Sequence, residues 1–151
     1  MNLGHSVSII ESIIIRPERK APPLRVPNVE ITDTGIKGDH YQKAEGTRQV
    51  TLIAKDDLAA VAAVVGFKGD AHIASRRNIM IDSFPEENLK GKIVGLGDEV
   101  ILEIVGYCTP CFRMDENFGE GAIDAFSKKS GWVARVIKGG MISVGDLFFL
   151  K

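Results

Sequence analysis

The sequence predicts a mainly β fold, a barrel of short strands with two short helices packed outside it. Three observations support this prediction. Strand-like apolar segments recur along the chain, they do not alternate regularly with helices, and glycine is frequent, with 16 residues in 151 against a usual share of about 7%. At 16.4 kDa the chain has the size of one domain with one core. Residues 1–151 are therefore taken as a single domain.

The predicted strands are short runs rich in β-branched residues, which favour extended backbone. Four prolines, from Pro17 to Pro27, follow the first run and predict an extended surface excursion before the second. Arg48–Ile53 alternates polar and apolar residues, as a half-buried strand does. The full set is Val7–Ile15, Val29–Thr32, Arg48–Ile53, Asn78–Ile81, Glu99–Val105, Trp132–Ile137 and Leu147–Leu150.

Two segments have a helical pattern. The first has an apolar stripe, with Asp56 or Asp57 as its expected cap and Gly66 as its expected end. The second is Ala122–Lys129. Phe84–Leu89 is expected to be a turn or a single helical turn.

Composition excludes several classes of function. Nineteen Lys and Arg balance twenty Asp and Glu, giving a net charge of -1, so nothing general favours nucleic acid or an anionic membrane as a partner. Two cysteines three residues apart do not make a disulfide scaffold. No apolar run approaches the ~20 residues of a membrane span. These features predict a soluble cytoplasmic protein with reduced thiols.

The segment Cys108-Thr109-Pro110-Cys111 carries the most distinctive chemistry. A structural zinc site needs four ligands, and the three histidines form no pair in sequence, so no zinc is expected. A thioredoxin-like dithiol has this spacing, but the surrounding βαβ pattern is missing. Two readings remain open beside it: one working thiolate with positive neighbours such as Arg113, or two small buried hydrophobic cysteines.

Polar residues stand at the starts of two predicted strands. Arg48-Gln49 precedes one, and Arg76-Arg77-Asn78 precedes another. Guanidinium groups at the mouth of a barrel can bind phosphate or carboxylate in bidentate fashion; the alternative is a solvated rim of ordinary ion pairs. Likewise, the Gly35–His40 loop either exposes backbone N–H groups to an anion or forms a structural turn around Asp39.

Taken in order, these segments resemble the MOSC family, named after the C-terminal part of molybdenum-cofactor sulfurases. The resemblance covers nearly the whole chain and is closest to the short, stand-alone bacterial-type members. The matching segments are Gly35–His40, Arg48–Leu52, Arg76–Ile79, Gly97-Asp98, Cys108–Cys111, Ala134–Gly140 and Val144–Asp146.

The resemblance implies a strongly bent, mixed β-barrel and one key cysteine, Cys111. In larger relatives the matching thiol either ligates molybdenum or carries sulfur as a persulfide, so Cys111 is the expected catalytic residue and, if molybdenum binds, its ligand. The phosphate and pterin of a molybdenum cofactor would suit the matching arginines. The expected cofactor-binding residues are Arg48, Arg77, Asn78, Arg113, Arg135 and His40.

Three functions follow as expectations. The first is a sulfur carrier or molybdenum-cofactor-binding domain acting through Cys111, with a sulfur donor such as a cysteine desulfurase and a metal–sulfur acceptor enzyme as partners. The second is a molybdenum-dependent reductase of N-hydroxylated compounds. The third is a non-catalytic barrel that binds an anion or a partner protein. If the protein is an enzyme, the resemblance implies a sulfur transferase or a molybdenum-dependent reductase.

Overall fold

The computed structural model describes residues 7–110 and 113–151. These residues form eleven strands and four helices. The strands are β1 (Val7–Ile15), β2 (Leu24–Val26), β3 (Asn28–Thr32), β4 (Gly35–Ile36), β5 (Val50–Ala54), β6 (Ile79–Ile81), β7 (Ile93–Leu96), β8 (Val100–Tyr107), β9 (Trp132–Lys138), β10 (Gly140–Ser143) and β11 (Leu147–Leu150). The helices are α1 (Lys55–Val65), α2 (Ala71–Ser75), α3 (Arg113–Phe118) and α4 (Ala122–Ala125).

Seven strands close into a barrel, in the order β11-β7-β8-β9-β5-β6-β1, and β1 pairs with β11 to complete the ring. The sheet is mixed because β5 and β6 run parallel while the other pairings within the described residues are antiparallel. Register shifts place an extra residue in β1 between Ile10 and Ser12, in β8 between Ile104 and Gly106, and in β9 between Val136 and Lys138; such β-bulges bend strands. The predicted strongly bent mixed barrel is confirmed.

The barrel interior is filled by aliphatic side chains and Phe148, which are fully or almost fully buried. A second apolar cluster lies outside the barrel wall, between β5 and the helices. Strand β5 is therefore covered on both faces, and all five of its residues are buried. The prediction of a half-buried strand here was wrong, because Ile53 packs under the helices. Thr51 is also buried, and its hydroxyl donates a hydrogen bond to Asn78.

The helices differ from the prediction in number and in one cap. Helix α1 ends at Gly66 as expected, with a left-handed φ of 72°. Its N-cap is Ala54, which makes no side-chain cap bond, so the prediction of an Asp56 or Asp57 cap was wrong. Two further short helices, α2 and α3, pack outside the barrel, and Phe84–Leu89 contains no helical turn.

The strand directions bring three polar chain segments to one end of the barrel. Arg48 precedes β5 and Arg77 precedes β6, and these two strands are parallel. Arg16 follows β1, which is antiparallel to β6. The starts of β5 and β6 and the end of β1 therefore meet. No helix within the described residues is both long and apolar enough to cross a membrane.

Candidate functional site

An arginine-lined cavity of about 210 Å³ opens where these segments meet. Six of the chain's eight arginines line it, and its described wall contains no carboxylate. A second cavity of about 500 Å³ shares four of its wall residues, including Arg48 and His40. The residues around the first are Arg16, Arg19, His40, Arg48, Ser75, Arg76, Arg77, Arg113, Met114 and Asn117.

Arg16 is held in place by an ion pair with Asp39. Its Nη2 donates to Asp39 Oδ2 at 2.8 Å and its Nε to Oδ1 at 3.0 Å, and its backbone N–H donates to the same carboxylate at 2.7 Å. Burial alone would raise the pKa of Asp39, but the hydrogen bonds and charge of Arg16 outweigh it and lower the pKa. This bidentate pair fixes the exit of β1 and neutralises one of the six guanidinium groups.

Asn78 is fully buried behind this ion pair and is not part of the cavity wall. Its Nδ2 donates to Asp39 Oδ1 at 3.0 Å and to the Ile14 carbonyl at 3.2 Å. Its Oδ1 accepts from the Thr51 hydroxyl at 3.0 Å. These three bonds pair the amide of Asn78 with protein groups and link β1, β5 and the loop at Asp39.

Arg76 has a left-handed backbone, with φ 57°, at the end of α2, which costs a non-glycine residue roughly 1 kcal/mol or more. Its guanidinium donates to the carbonyls of Ala21 at 2.7 Å, Arg19 at 3.0 Å and Glu18 at 3.2 Å. Burial lowers the pKa of Arg76, and the positive charges of Arg16 and Arg113 lower it further. Arg16, Arg76 and Arg113 therefore concentrate positive charge in this part of the cavity wall.

Arg77 is buried, and its guanidinium donates from Nε to the Ser130 carbonyl at 3.0 Å and from Nη2 to the Ser130 hydroxyl at 2.6 Å. Its own carbonyl lies 2.7 Å from His72 Nε2. His72 Nδ1 lies 2.8 Å from Ser12 Oγ, which accepts a hydrogen bond from Arg25 Nε. Because the Arg77 carbonyl can only accept, Nε2–H donates to it, and the Ser12 hydroxyl donates to Nδ1. Burial lowers the pKa of His72 to about 4.

Arg48 and Arg113 connect the cavity to the cysteine segment. Arg48 Nη2 lies 3.8 Å from the Sγ of Cys108, which is buried. Arg113 donates from Nη1 to the Arg19 carbonyl at 2.9 Å and lines the cavity two residues after Cys111 in sequence. Cys111 itself, the predicted catalytic residue, lies outside the described residues.

His40 lies in the wall of both cavities. Burial lowers its pKa, and the charge of Arg16 lowers it further, so the imidazole is neutral at neutral pH. The backbone N–H of His40 donates to the Arg16 carbonyl, and that of Tyr41 donates to Asp39 Oδ2. These amides hold the loop together, so of the two readings of the Gly35–His40 loop the structure favours a structural turn.

Arg135 lies apart from this cavity. It sits on β9 next to Ala134, which is fully buried in the barrel core, so its side chain is on the outer face. There its Nε donates to Glu103 Oε1 at 3.0 Å, and the two residues are opposite each other in the β8–β9 pairing. Of the six predicted cofactor-binding residues, the structure brings together Arg48, Arg77, Arg113 and His40.

Two arginines of the wall, Arg16 and Arg19, were missed by sequence reasoning, as were the uncharged Ser75, Met114 and Asn117. The two arginines belong to the charged stretch Arg16-Pro17-Glu18-Arg19-Lys20 directly after β1, and that clustering is the signal that was available. The exposed Arg19 side chain makes no hydrogen bond or ion pair with described residues. It is therefore placed to contact an anion entering either cavity.

The fold and the cavity define a closed, mainly β barrel domain with a concentrated cationic hollow at one end. A sequence model of the MOSC domain matches residues 34–148. The chain therefore belongs to the MOSC domain family, whose members are associated with the molybdenum cofactor.

Solved structures agree on the fold. The YUAD protein from Bacillus subtilis superposes with a TM-score of 0.84 at 13% identity, covering 95% of each chain. YiiM from Geobacillus stearothermophilus gives 0.77 at 16% identity, over 95% of this chain and 75% of that one. YiiM from Escherichia coli gives 0.71 at 16% identity, over 95% and 69%. No curated protein matched the chain in sequence.

Proposed function

We propose that this protein is a sulfur-carrier or molybdenum-cofactor-binding domain that acts through Cys111, with the arginine-lined cavity holding an anionic group of the cofactor or substrate. One observation carries the proposal. A chain with a net charge of -1 places six of its eight arginines around one cavity without a carboxylate in the described wall. Positive charge gathered at one place on a chain that is almost neutral overall is typical of an anion-binding site.

The described residues fit the anionic part of a molybdenum cofactor. A phosphate needs forked, charged donors, and Arg16, Arg19 and Arg48 line both adjoining cavities. The described residues hold no cluster of three His, Cys, Asp or Glu side chains suited to a metal, so the thiol of Cys111 is the proposed contact with the metal. When bound, such a cofactor supplies molybdenum redox chemistry.

The same charges support chemistry at the thiol. A thiolate is the reactive form of cysteine, and nearby guanidinium groups favour it. In the carrier version, the Cys111 thiolate attacks the terminal sulfur of a donor persulfide, and the donor leaves as a thiolate. An acceptor nucleophile then takes that sulfur, and the Cys111 thiolate is restored. Balance requires a persulfide donor, such as a cysteine desulfurase, and an acceptor metal–sulfur enzyme whose attacking nucleophile supplies the electron pair of the new bond to sulfur.

The proposal is tested by loading the protein in two ways. Protein made in cells that produce the molybdenum cofactor is assayed for bound molybdenum and pterin, and apo-protein is incubated with a cysteine desulfurase and cysteine, then mapped by mass spectrometry. We expect cofactor, or a persulfide on Cys111, and loss of either in Cys111→Ser but not in Cys108→Ser. Absence of molybdenum, pterin and persulfide would refute both versions.

Paired arginine variants test the cavity itself. Arg48→Gln removes a cavity cation, and Arg135→Gln removes the same charge on the outer barrel face, where Arg135 pairs with Glu103. We expect only the first to reduce bound pterin. Equal losses would show that general charge, rather than the cavity, is responsible.

A non-catalytic anion-binding module is the second candidate, because the described wall of the arginine-lined cavity already has the positive charges that an anion needs. It predicts that Cys111→Ala binds inorganic phosphate as the unchanged protein does, with no persulfide or molybdenum on either. This candidate is supported if phosphate binding depends on Arg48 while the protein takes up neither persulfide nor molybdenum.

A further inference from the structure

A third cavity, of about 440 Å³, has walls of a different kind from the two that share arginines. It lies between the start of α1, the Phe84–Glu87 segment and the paired ends of β8 and β9. Among the described residues, none lines both this cavity and the arginine-lined one. It is lined by Asp56, Asp57, Phe84, Pro85, Glu86, Glu87, Tyr107, Lys128, Gly131 and Trp132.

An aromatic stack forms one wall. Tyr107 and Trp132 face each other across the β8–β9 pairing, with ring centroids 4.0 Å apart and planes 21° apart. Phe84 meets Trp132 edge-on at 6.4 Å. Trp132 is only 4% exposed, whereas Tyr107 is 52% exposed despite its size. Packing holds the stack rigid while Tyr107 stays accessible, and an accessible, oriented aromatic ring attracts cations through its π face.

The polar wall is negative. Four carboxylates face one lysine, Lys128, across the cavity. Asp57 makes no hydrogen bond or ion pair with described residues, and Glu87 has only a distant partner, Lys92, at 3.7 Å. Burial raises the pKa of Asp57 to about 6; the charge of Asp56 raises it further, and the charge of Lys129 partly offsets this. A half-buried carboxylate with no hydrogen-bonded partner among the described residues is stabilised by a cation that reaches it.

The Trp132 indole adds a donor. Its N–H makes no hydrogen bond with the described residues. Every fully buried side-chain nitrogen or oxygen of the described residues has a hydrogen-bond partner. The indole nitrogen therefore keeps a small exposed area on a residue that is otherwise buried and lines this cavity. An occupant with an acceptor oxygen beside its positive charge satisfies this N–H.

We infer that this aromatic and acidic cavity is a binding site for an organic cation, a guanidinium or ammonium group that packs on the Tyr107–Trp132 stack and pairs with the carboxylates of Asp57 and Glu86. The arrangement combines cation–π attraction with charge pairing in a concave space of ligand size. The site lies beside Cys108, because Tyr107 precedes Cys108 and the Cys108 N–H donates to the Gly131 carbonyl at 2.9 Å.

The protein provides its own reporter, since Trp132 is its single tryptophan. The probes are N-acetyl-arginine amide and N-acetyl-citrulline amide, which have the same shape and differ in charge. Binding is followed by tryptophan fluorescence and by calorimetry. We expect the arginine probe to bind at least about tenfold more tightly, with Tyr107→Leu weakening it by roughly 3- to 30-fold. Equal binding of both probes, or no binding by either method, would overturn the inference.

Matched variants separate the site from general charge. Asp57→Asn and Glu86→Gln should each weaken the arginine probe severalfold, whereas Asp98→Asn, an exposed acid outside the cavity wall, should not. Equal effects of all three would also overturn it. Methylguanidinium then distinguishes the sources of the cation: affinity equal to that of the arginine probe supports a small free cation, and much weaker binding supports a basic residue within a peptide.

Discussion

His72 makes the stability of the barrel depend on pH in a direction that can be worked out from its contacts. The ring is 3% exposed and lies between Ser12 Oγ and the Arg77 carbonyl. Nε2–H already donates and Nδ1 already accepts, so an added proton on Nδ1 faces a hydroxyl that must give up its own donated hydrogen bond. The nearby Arg25 charge also opposes protonation. The folded protein therefore holds His72 neutral.

The magnitude follows from linkage. The pKa of His72 falls from 6.5 to about 4 on folding, so between these values the unfolded chain binds a proton that the folded protein does not. Stability is then lost as pH falls through this window, by about 3 kcal/mol for a shift of this size. Asp57 acts in the opposite direction, because its raised pKa makes the folded protein lose stability as pH rises from 3.8 to about 6.

The assay is urea unfolding of the unchanged protein and of His72→Gln at several pH values between about 7 and 4. Both proteins contain Asp57, so its effect cancels in the difference between them. We expect the variant to be less stable near neutral pH, because it loses the packed ring. The difference in the free energy of unfolding between the two proteins, called the gap below, should shrink by about 3 kcal/mol towards pH 4. A gap that stays constant to within about 1 kcal/mol would refute the reasoning.

Three further predictions concern packing and charge. Gly131→Ala should destabilise the fold by more than about 2 kcal/mol, because φ is 88° and a Cβ would lie 2.0 Å from the Leu52 carbonyl oxygen. The control in thermal unfolding is Gly106→Ala, where a Cβ would meet open space. Equal losses of stability in the two variants would contradict the clash. Asp39→Ala should cost about 3–5 kcal/mol by leaving its guanidinium partner unpaired, which denaturant titration measures, and a cost under about 1 kcal/mol would show that the pair is unimportant. Phosphate affinity, measured by calorimetry, should fall as salt is raised, and less steeply in Arg48→Gln; affinity independent of salt would argue against an electrostatic site.

Much of the barrel follows from local sequence, because its strands are long enough to show their apolar patterns. The runs at Val7–Ile15 and Leu147–Leu150 were predicted with the bounds that the structure has. The elements missed are short, such as the two-residue β4 and the five-residue α2. Such elements are stable only through tertiary packing, which no local pattern reports.

Residues of the candidate site could be predicted from the sequence only where their position at the start of a strand shows at which end of the barrel they lie. Arg48 and Arg77 stand at strand starts, and parallel β5 and β6 bring them together. Arg16 follows a strand, so its approach depends on the antiparallel pairing of β1, which the sequence does not specify. Arg135 lies one residue from the buried Ala134, and strict alternation would have placed it on the outer face. Cys111 lies outside the described residues, and its role stays a prediction.

The seam between β1 and β11 has a consequence for how the domain is made. Val7 pairs with Phe149 and Ile9 with Leu147, so the ring closes through the first and last strands described. Until β11 has been made, the sheet keeps two unpaired edges, one on β1 and one on β7, while the strands between them already have partners. Loop-closure entropy makes such distant pairing slow, and open edges recruit other chains. Chaperone dependence and aggregation of truncated chains should therefore concentrate at this last step of assembly.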